Sequence, residues 1–242
     1  MEGKHLVVFL LIIFISIGVS AQEARKVYRP DIPGSFLLDF GVNGTVGAPD
    51  KFDIGWFGSR TANVYYYYPI RFGKSKFMFN PGIGFGLERF KFKNYYYLAD
   101  TAVRDGQFDL VPNFVSSDST TYSGIKKSMM VMDYLDIPIE FRFNSNPDDL
   151  ARTFWVSIGA RAGVLFNAHS KIKYKNDGEK VILKDRQRHG LSQFRYGLSM
   201  RVGMGNFNWF AFYNLSPLFE KDKGPAKTQM TSFTFGISLT GL

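Results

Sequence analysis

Residues 153–169 alternate in a strict two-residue rhythm. Phe154, Val156, Ile158, Ala160, Ala162, Val164, Phe166 and Ala168 are all apolar, while the odd positions hold Thr153, Trp155, Ser157, Gly159, Arg161, Gly163, Leu165, Asn167 and His169. A two-residue period puts one set on each face of a β-strand. Held this long, it exceeds the roughly 5–6 residues of an ordinary strand. It suits a stave of a closed barrel with hydrocarbon outside and a small or polar lumen inside.

The same pattern predicts seven more strands. Strand one lies near Ser35 to Asn43, strand two near Thr61 to Phe72, and strand three from Phe77 towards Lys93. In strand three Phe77, Phe79, Ile83, Phe85 and Leu87 oppose Asn80, Gly82, Gly84, Gly86 and Glu88. Beyond Glu88 the parity reverses, because Phe90 and Phe92 are even, which predicts a bulge or the membrane's upper edge. Strand four lies near Met130 to Asn144, strand six near Gln193 to Met204, strand seven from Phe207 to Leu215 and strand eight around Phe233 to Thr240. Four longer connections alternate with three tight turns. The long ones are a loop with Pro49-Asp50, the stretch Asn94 to Lys127, the basic segment Lys171 to His189, and Glu220 to Thr228. The predicted fold is all-β, an eight-stranded antiparallel transmembrane β-barrel. Its short turns are expected on the periplasmic side and its long loops outside, with both termini periplasmic.

The non-lipid faces decide between this fold and a soluble lipocalin-like barrel, which can alternate in the same way. They carry Asp39, Arg71, Glu88, Asp136, Glu140, Arg142, Arg161, Arg195 and Arg201 beside many glycines. Four acids and five arginines cannot line an apolar ligand pocket. In a narrow lumen each needs a partner to offset its desolvation, so they are expected to form a structural ion network, with the arginines as bidentate partners. Asp136 and Glu140 are four residues apart, about 13 Å along an extended strand, and so do not form an acid-base pair. Tyr65, Tyr67, Trp155, Phe210 and Phe212 fall on the same inner faces and fill the lumen.

The amino-terminal segment fits export. Lys4 precedes an apolar run from Leu6 to Val19, and Val19-Ser20-Ala21 offers small residues before Gln22. A run of about 14 residues is shorter than the roughly 20 of a spanning helix. Residues 1–21 are therefore expected to be a signal peptide, 22–33 a periplasmic leader, and 34–242 the outer-membrane barrel. Aromatic residues make up 17% of the chain, with 25 Phe and 13 Tyr, as lipid-facing surfaces and interfacial girdles require. The absence of Cys excludes disulfides, thiolate metal sites and Cys nucleophiles. A net charge of +9 on an exported chain points to lumen arginines and lysine-rich loops facing anionic lipopolysaccharide or acidic partners, not to nucleic acid.

Short motifs resemble the PorT-like outer-membrane β-barrels of Bacteroidetes. They are Tyr134-Leu135-Asp136-Ile137-Pro138-Ile139-Glu140, the strand Phe154 to Phe166 with Gly159 and Gly163, Pro81-Gly82-Ile83-Gly84-Phe85-Gly86, and the terminal Phe235-Gly236-Ile237-Ser238-Leu239. The resemblance spans nearly all of the chain after the leader. It implies an eight-stranded barrel inserted by BAM-type assembly machinery, with Phe235, Gly236 and Leu239 in the assembly signal. Gly241 and Leu242 depart from the usual apolar and aromatic ending. Members that resemble PorT itself are implicated in type IX protein secretion.

Chemistry-bearing motifs are few. Gly82-x-Gly84-x-Gly86 has no helix after it and reads as inward strand glycines, not a phosphate cradle. His169-Ser170 and His189 lie where a lipid A hydrolase or acyltransferase would place a catalytic rim, but adjacent strand residues face opposite ways. The reading is a non-enzymatic barrel without cofactor or metal, an accessory or interaction subunit of an outer-membrane secretion or assembly machine. A rim enzyme and a small channel are the alternatives. Its expected partners are outer-membrane lipid, lipopolysaccharide, the assembly machinery and protein subunits, with Tyr95, Tyr96, Tyr97 and Phe114 as the contact loop.

Overall fold

The computed structural model describes Gly34 to Gly241, apart from residues 94–95, 101–107, 112–113, 116–120, 123–124, 150–151 and 177–178. The expected signal peptide and leader lie outside the described residues. Eight staves form the barrel: β1 (Ser35–Val46), β2 (Arg60–Tyr67), β3 (Phe77–Phe92), β4 (Ile125–Asn144), β5 (Phe154–Asn176), β6 (Phe194–Met204), β7 (Phe207–Asn214) and β8 (Thr231–Thr240). Each pairs antiparallel with its chain neighbours. The ring closes where β1 pairs with β8, from Leu37 opposite Thr240 to Val46 opposite Thr231. Closure matters because an open edge in hydrocarbon would leave a row of backbone groups without partners.

The three short connections share one end. The tightest is Gly205-Asn206, where Gly205 adopts φ +56°, a left-handed conformation that a Cβ disfavours. The four long connections share the other end. Around the middle of the staves the predicted faces hold: Ile158 points outward at 63% exposure, while Arg201 points inward at 1%.

Past that belt the preference inverts, and this corrects several expectations. β3 runs to Phe92 with no shift in its pairing to β4, so Phe90 and Phe92 face inward and Arg89 and Lys91 outward. The reversal marks the upper edge of the lipid-facing belt and not a bulge. The irregularity lies in β5, where the pairing with β4 shifts between Leu165 and Asn167. Ala168 is thereby turned inward although its even number predicts the lipid face. Staves β4 and β5 are 20 and 23 residues long and project beyond the belt. The segment expected as a loop from Lys171 is therefore strand to Asn176, with Glu179–Asp185 folding back on it. The stretch after Asn94 likewise contains two short hairpins, Tyr97–Asp100 with Phe108–Val111 and Phe114–Val115 with Thr121–Tyr122.

All four long loops send apolar side chains over the barrel end. Phe52 and Ile54, Leu98 and Leu110, Leu191, and Leu218, Phe219 and Met230 pack on Phe90, Phe92, Met130, Met132, Tyr134 and Leu165. Phe52 meets Phe92 edge-on with centroids 5.1 Å apart and Phe219 at 6.1 Å. The result is a water-soluble type of core, oily inside and polar outside, set on a membrane barrel whose polarity is the reverse.

Candidate functional site

The lumen is built around two arginines. Arg201 on β6 donates from Nη1 and Nη2 to the two carboxylate oxygens of Asp39 on β1, at 2.7 and 2.9 Å, and from Nε to Glu140 on β4 at 2.8 Å. Ser238 donates to Asp39, and Asn63 adds a bond at 3.1 Å. Arg195, also on β6, grips Asp136 with Nε at 3.0 Å and Nη2 at 2.6 Å, and reaches Glu88 with Nη1 at 2.5 Å. Arg161 lies 3.8 Å from Asp136 and over the Phe212 ring at 3.8 Å. Arg142 stacks on Trp155 at 3.5 Å. Tyr65 donates to Asp136 at 2.7 Å, Tyr67 to Glu140 at 2.8 Å, and Ser157 to Glu140 at 2.8 Å.

Glycines make this packing possible. A Cβ on Gly163 would lie 2.1 Å from Asp136 Oδ1, and one on Gly86 would lie 2.3 Å from Arg195 Nη2. Gly86 on β3 and Gly163 on β5 flank the stave that carries Asp136, so they leave room for its pair with Arg195. The Gly82-x-Gly84-x-Gly86 run is thus a set of inward gaps. At the closing seam Gly41 pairs with Gly236, where a Cβ on Gly236 would meet Phe40 O at 2.1 Å and Gly41 Cα at 2.4 Å. Close approach of β1 and β8 requires glycine there. Phe235 and Leu239 face outward on the same stave.

Eight of the nine expected network residues line the lumen. Arg71 does not, and this is a correction. It follows the break at Tyr68-Pro69, in the pair Ile70–Arg71, and braces a short turn through Ser75 O at 3.0 Å and exposed Asp148 at 2.8 Å. Its inward parity holds, but it lies at the mouth, beyond the lumen side chains. Sequence reasoning missed the hydroxyl and amide members Asn63, Ser157 and Ser238, although their inward parity was readable, and missed the hydrogen bonds of Tyr65 and Tyr67. Tyr65, Tyr67, Trp155, Phe210 and Phe212 are all buried.

The contact-loop residues are placed differently from one another. Tyr97 is 8% exposed and packs with Ile125, Ile172 and Tyr174, while Tyr96 packs against the core under the loops. Tyr95 and the side chain of Phe114 lie outside the described residues. Among the described residues of the loops at this end, Trp56 and Phe57 are exposed aromatics, at 57% and 87%.

His169 and His189 lie in different settings, the first half-buried and the second buried. After the β5 irregularity His169 faces outward and Ser170 inward, so the two do not share a face. Partial burial, with Arg89, Lys184 and Arg186 nearby, holds the His169 imidazole below its ordinary value against the opposing pull of Asp133. His189 is buried, with Nδ1 2.6 Å from Gln187 O and Nε2 3.3 Å from Asp185. Among the described residues no group of three or more His, Asp or Glu could hold a metal ion, and no helix is long and apolar enough to cross a membrane.

The sequence matches the family described as outer membrane protein beta-barrel domain over residues 34–216, which takes in β1 to β7. Among solved structures it is similar to Ail, the attachment invasion locus protein of Yersinia pestis, at 15% identity and a TM-score of 0.37, covering 86% of this chain and 97% of that one. A second structure of Ail, in complex with the heparin analogue sucrose octasulfate, gives 14% identity and a TM-score of 0.35, over the same shares of the two chains. No curated protein sequence matches. The matched family covers most of the chain, including seven of the eight staves: the protein belongs to the outer-membrane β-barrel domain family and resides in the outer membrane.

Proposed function

We propose that the protein is a non-enzymatic interaction subunit of an outer-membrane secretion or assembly machine, related in role to the PorT-like barrels of type IX secretion that its motifs resemble. BAM-type machinery inserts it, its long loops face outward and both termini face the periplasm. The observation that carries this reading is the filled interior. Arg195, Arg201 and their carboxylates occupy the lumen, and the core under the loops covers the long-loop end. Eight staves leave space that side chains fill, so a conduit for substrate is not available. What the barrel offers its surroundings is its lipid-facing wall and its long-loop end.

Affinity capture of the tagged protein from gently solubilised outer membranes tests the reading. Stoichiometric protein partners are expected, and recovery as a free monomer under several mild detergents contradicts it.

A further inference from the structure

The outward face just above the lipid-facing belt is an array of cations. Arg60 on β2 lies directly opposite Arg89 on β3, and Lys127 on β4 lies directly opposite Lys173 on β5. Lys91 and Lys171 each pair across with Met129, so both flank it on the same row. Like charges placed opposite each other destabilise a sheet. Two of the neighbouring cations are compensated: Arg89 binds Asp133 at 2.7 Å and Lys93 binds Asp53 at 2.9 Å. Arg60, Lys91, Lys127, Lys171 and Lys173 have no carboxylate partner among the described residues. Partial burial and the charges of Lys91, Lys171, Lys173 and Arg60 hold Lys127 below the usual lysine range.

The array has a cavity and an apolar border. Arg60, Arg89, Lys91 and Lys127 converge with Phe57 and Met129 on an open hollow of about 350 Å³. One two-residue step below Arg60 and Arg89 lie outward Ala62 and Leu87, with Asp133 of β4 opposite Leu87, and one further step down lie Val64, Phe85 and, opposite it, Leu135 of the belt. Trp56 stands beside the lipid-facing Phe233, with ring centroids 6.4 Å apart. Aromatic side chains favour this boundary between hydrocarbon and headgroups.

We infer that this hollow binds the phosphate groups of a phosphorylated outer-leaflet glycolipid of the lipid A type, whose acyl chains lie against the belt below. A soluble polyanion would use the cations alone. A lipid uses both the cations and the adjoining apolar wall, and the two lie together here. Several basic groups near a membrane surface each add attraction to anionic headgroups, and the uncompensated set at this height supplies the charge that a phosphate pair neutralises.

The inference rests on the proposed outward orientation of the long loops, but binding by the purified protein is read without any partner or cell, so either can fail alone. The experiment measures retention of bisphosphorylated lipid A by the full-length detergent-folded barrel in native mass spectrometry. Its controls are the same lipid with both phosphates removed, inorganic phosphate as competitor, and the variant Arg60→Gln/Lys91→Gln/Lys127→Gln. The wild type is expected to retain the phosphorylated lipid, the variant to bind it on the order of a hundredfold more weakly, and millimolar phosphate to leave it in place. Heat-dependent gel mobility reports whether the variant is folded, and Lys91→Gln alone, expected to weaken retention several-fold, serves if it is not. Equal retention of the dephosphorylated lipid, or undiminished retention by a folded variant, overturns the inference. Displacement by inorganic phosphate overturns the lipid as the source of the anion.

Discussion

Arg201 and Asp39, 162 positions apart in the chain, meet across the lumen through two parallel N–H···O bonds at 2.7 and 2.9 Å. The fork ties β6 to β1, while the Nε of the same guanidinium ties both to Glu140 on β4. One side chain therefore crosslinks three staves that do not adjoin in the sheet. Removing one partner leaves a buried charge without compensation, which typically destabilises by about 3–5 kcal/mol. Arg201→Met and Asp39→Leu are each expected to lose about that much in reversible urea unfolding from micelles. Arg201→Lys, which keeps the charge and loses the fork, should fall between them and the wild type. Wild-type stability in Arg201→Met would contradict the crosslinking role.

The space beside Asp136 makes a second prediction. At Gly163 the added methyl of alanine would overlap Asp136 Oδ1, which accepts from Arg195 Nε while Tyr65 and Arg195 Nη2 hold the carboxylate's other oxygen. Overpacking of this kind costs about 1–3 kcal/mol. Gly163→Ala should lower the urea midpoint although it adds only one carbon to the strand. An unchanged midpoint would mean that the carboxylate can shift freely.

The core under the loops is expected to fail separately from the barrel. Phe90 is wholly buried there and bonds to nothing in the ion network. Phe90→Ala should remove about 3–5 kcal/mol of local packing. Limited proteolysis would then cut the long loops faster while heat-dependent gel mobility stays that of a folded barrel. Simultaneous loss of both would show that core and barrel unfold as one unit.

A filled lumen also predicts electrical silence. Arg161 and Arg195 lie over the Phe212 ring, and Tyr65 and Tyr67 close the space towards β2. Planar bilayers containing the pure protein should show no steps above background. Regular unitary conductance would require these side chains to move aside.

Much of the architecture was legible because lipid enforces alternation. From Phe207 to Leu215 every inward and outward position follows from parity alone, and the wall of staves and the alternation of long with short connections follow in the same way. Pairings within the lumen were less legible, since parity says that Arg201 faces inward but not that Asp39 lies opposite it. That depends on stagger between staves far apart in the chain. Counting by parity through Phe166, where the β5 pairing shifts, puts Ala168 outward and His169 inward, the reverse of their faces, which follow only from the register. Lys171 to Lys175 looked like loop because its lysines mask an inverted strand pattern, with Ile172 and Tyr174 inward. Two solvents act on one strand, and a single hydropathy rule cannot follow both.

The central claim is that the Phe-rich face meets hydrocarbon while the arginine-rich face does not. Trp209 is 49% exposed on the outer wall of β7, and Trp155 is 1% exposed in the lumen. Single-tryptophan variants, Trp56→Phe/Trp155→Phe and Trp56→Phe/Trp209→Phe, folded into vesicles of phosphatidylcholine brominated midway along its acyl chains, compare the two directly. Strong quenching of Trp209 with Trp155 left bright is the expected result; quenching of Trp155 with Trp209 spared would show that the barrel's faces are the other way round.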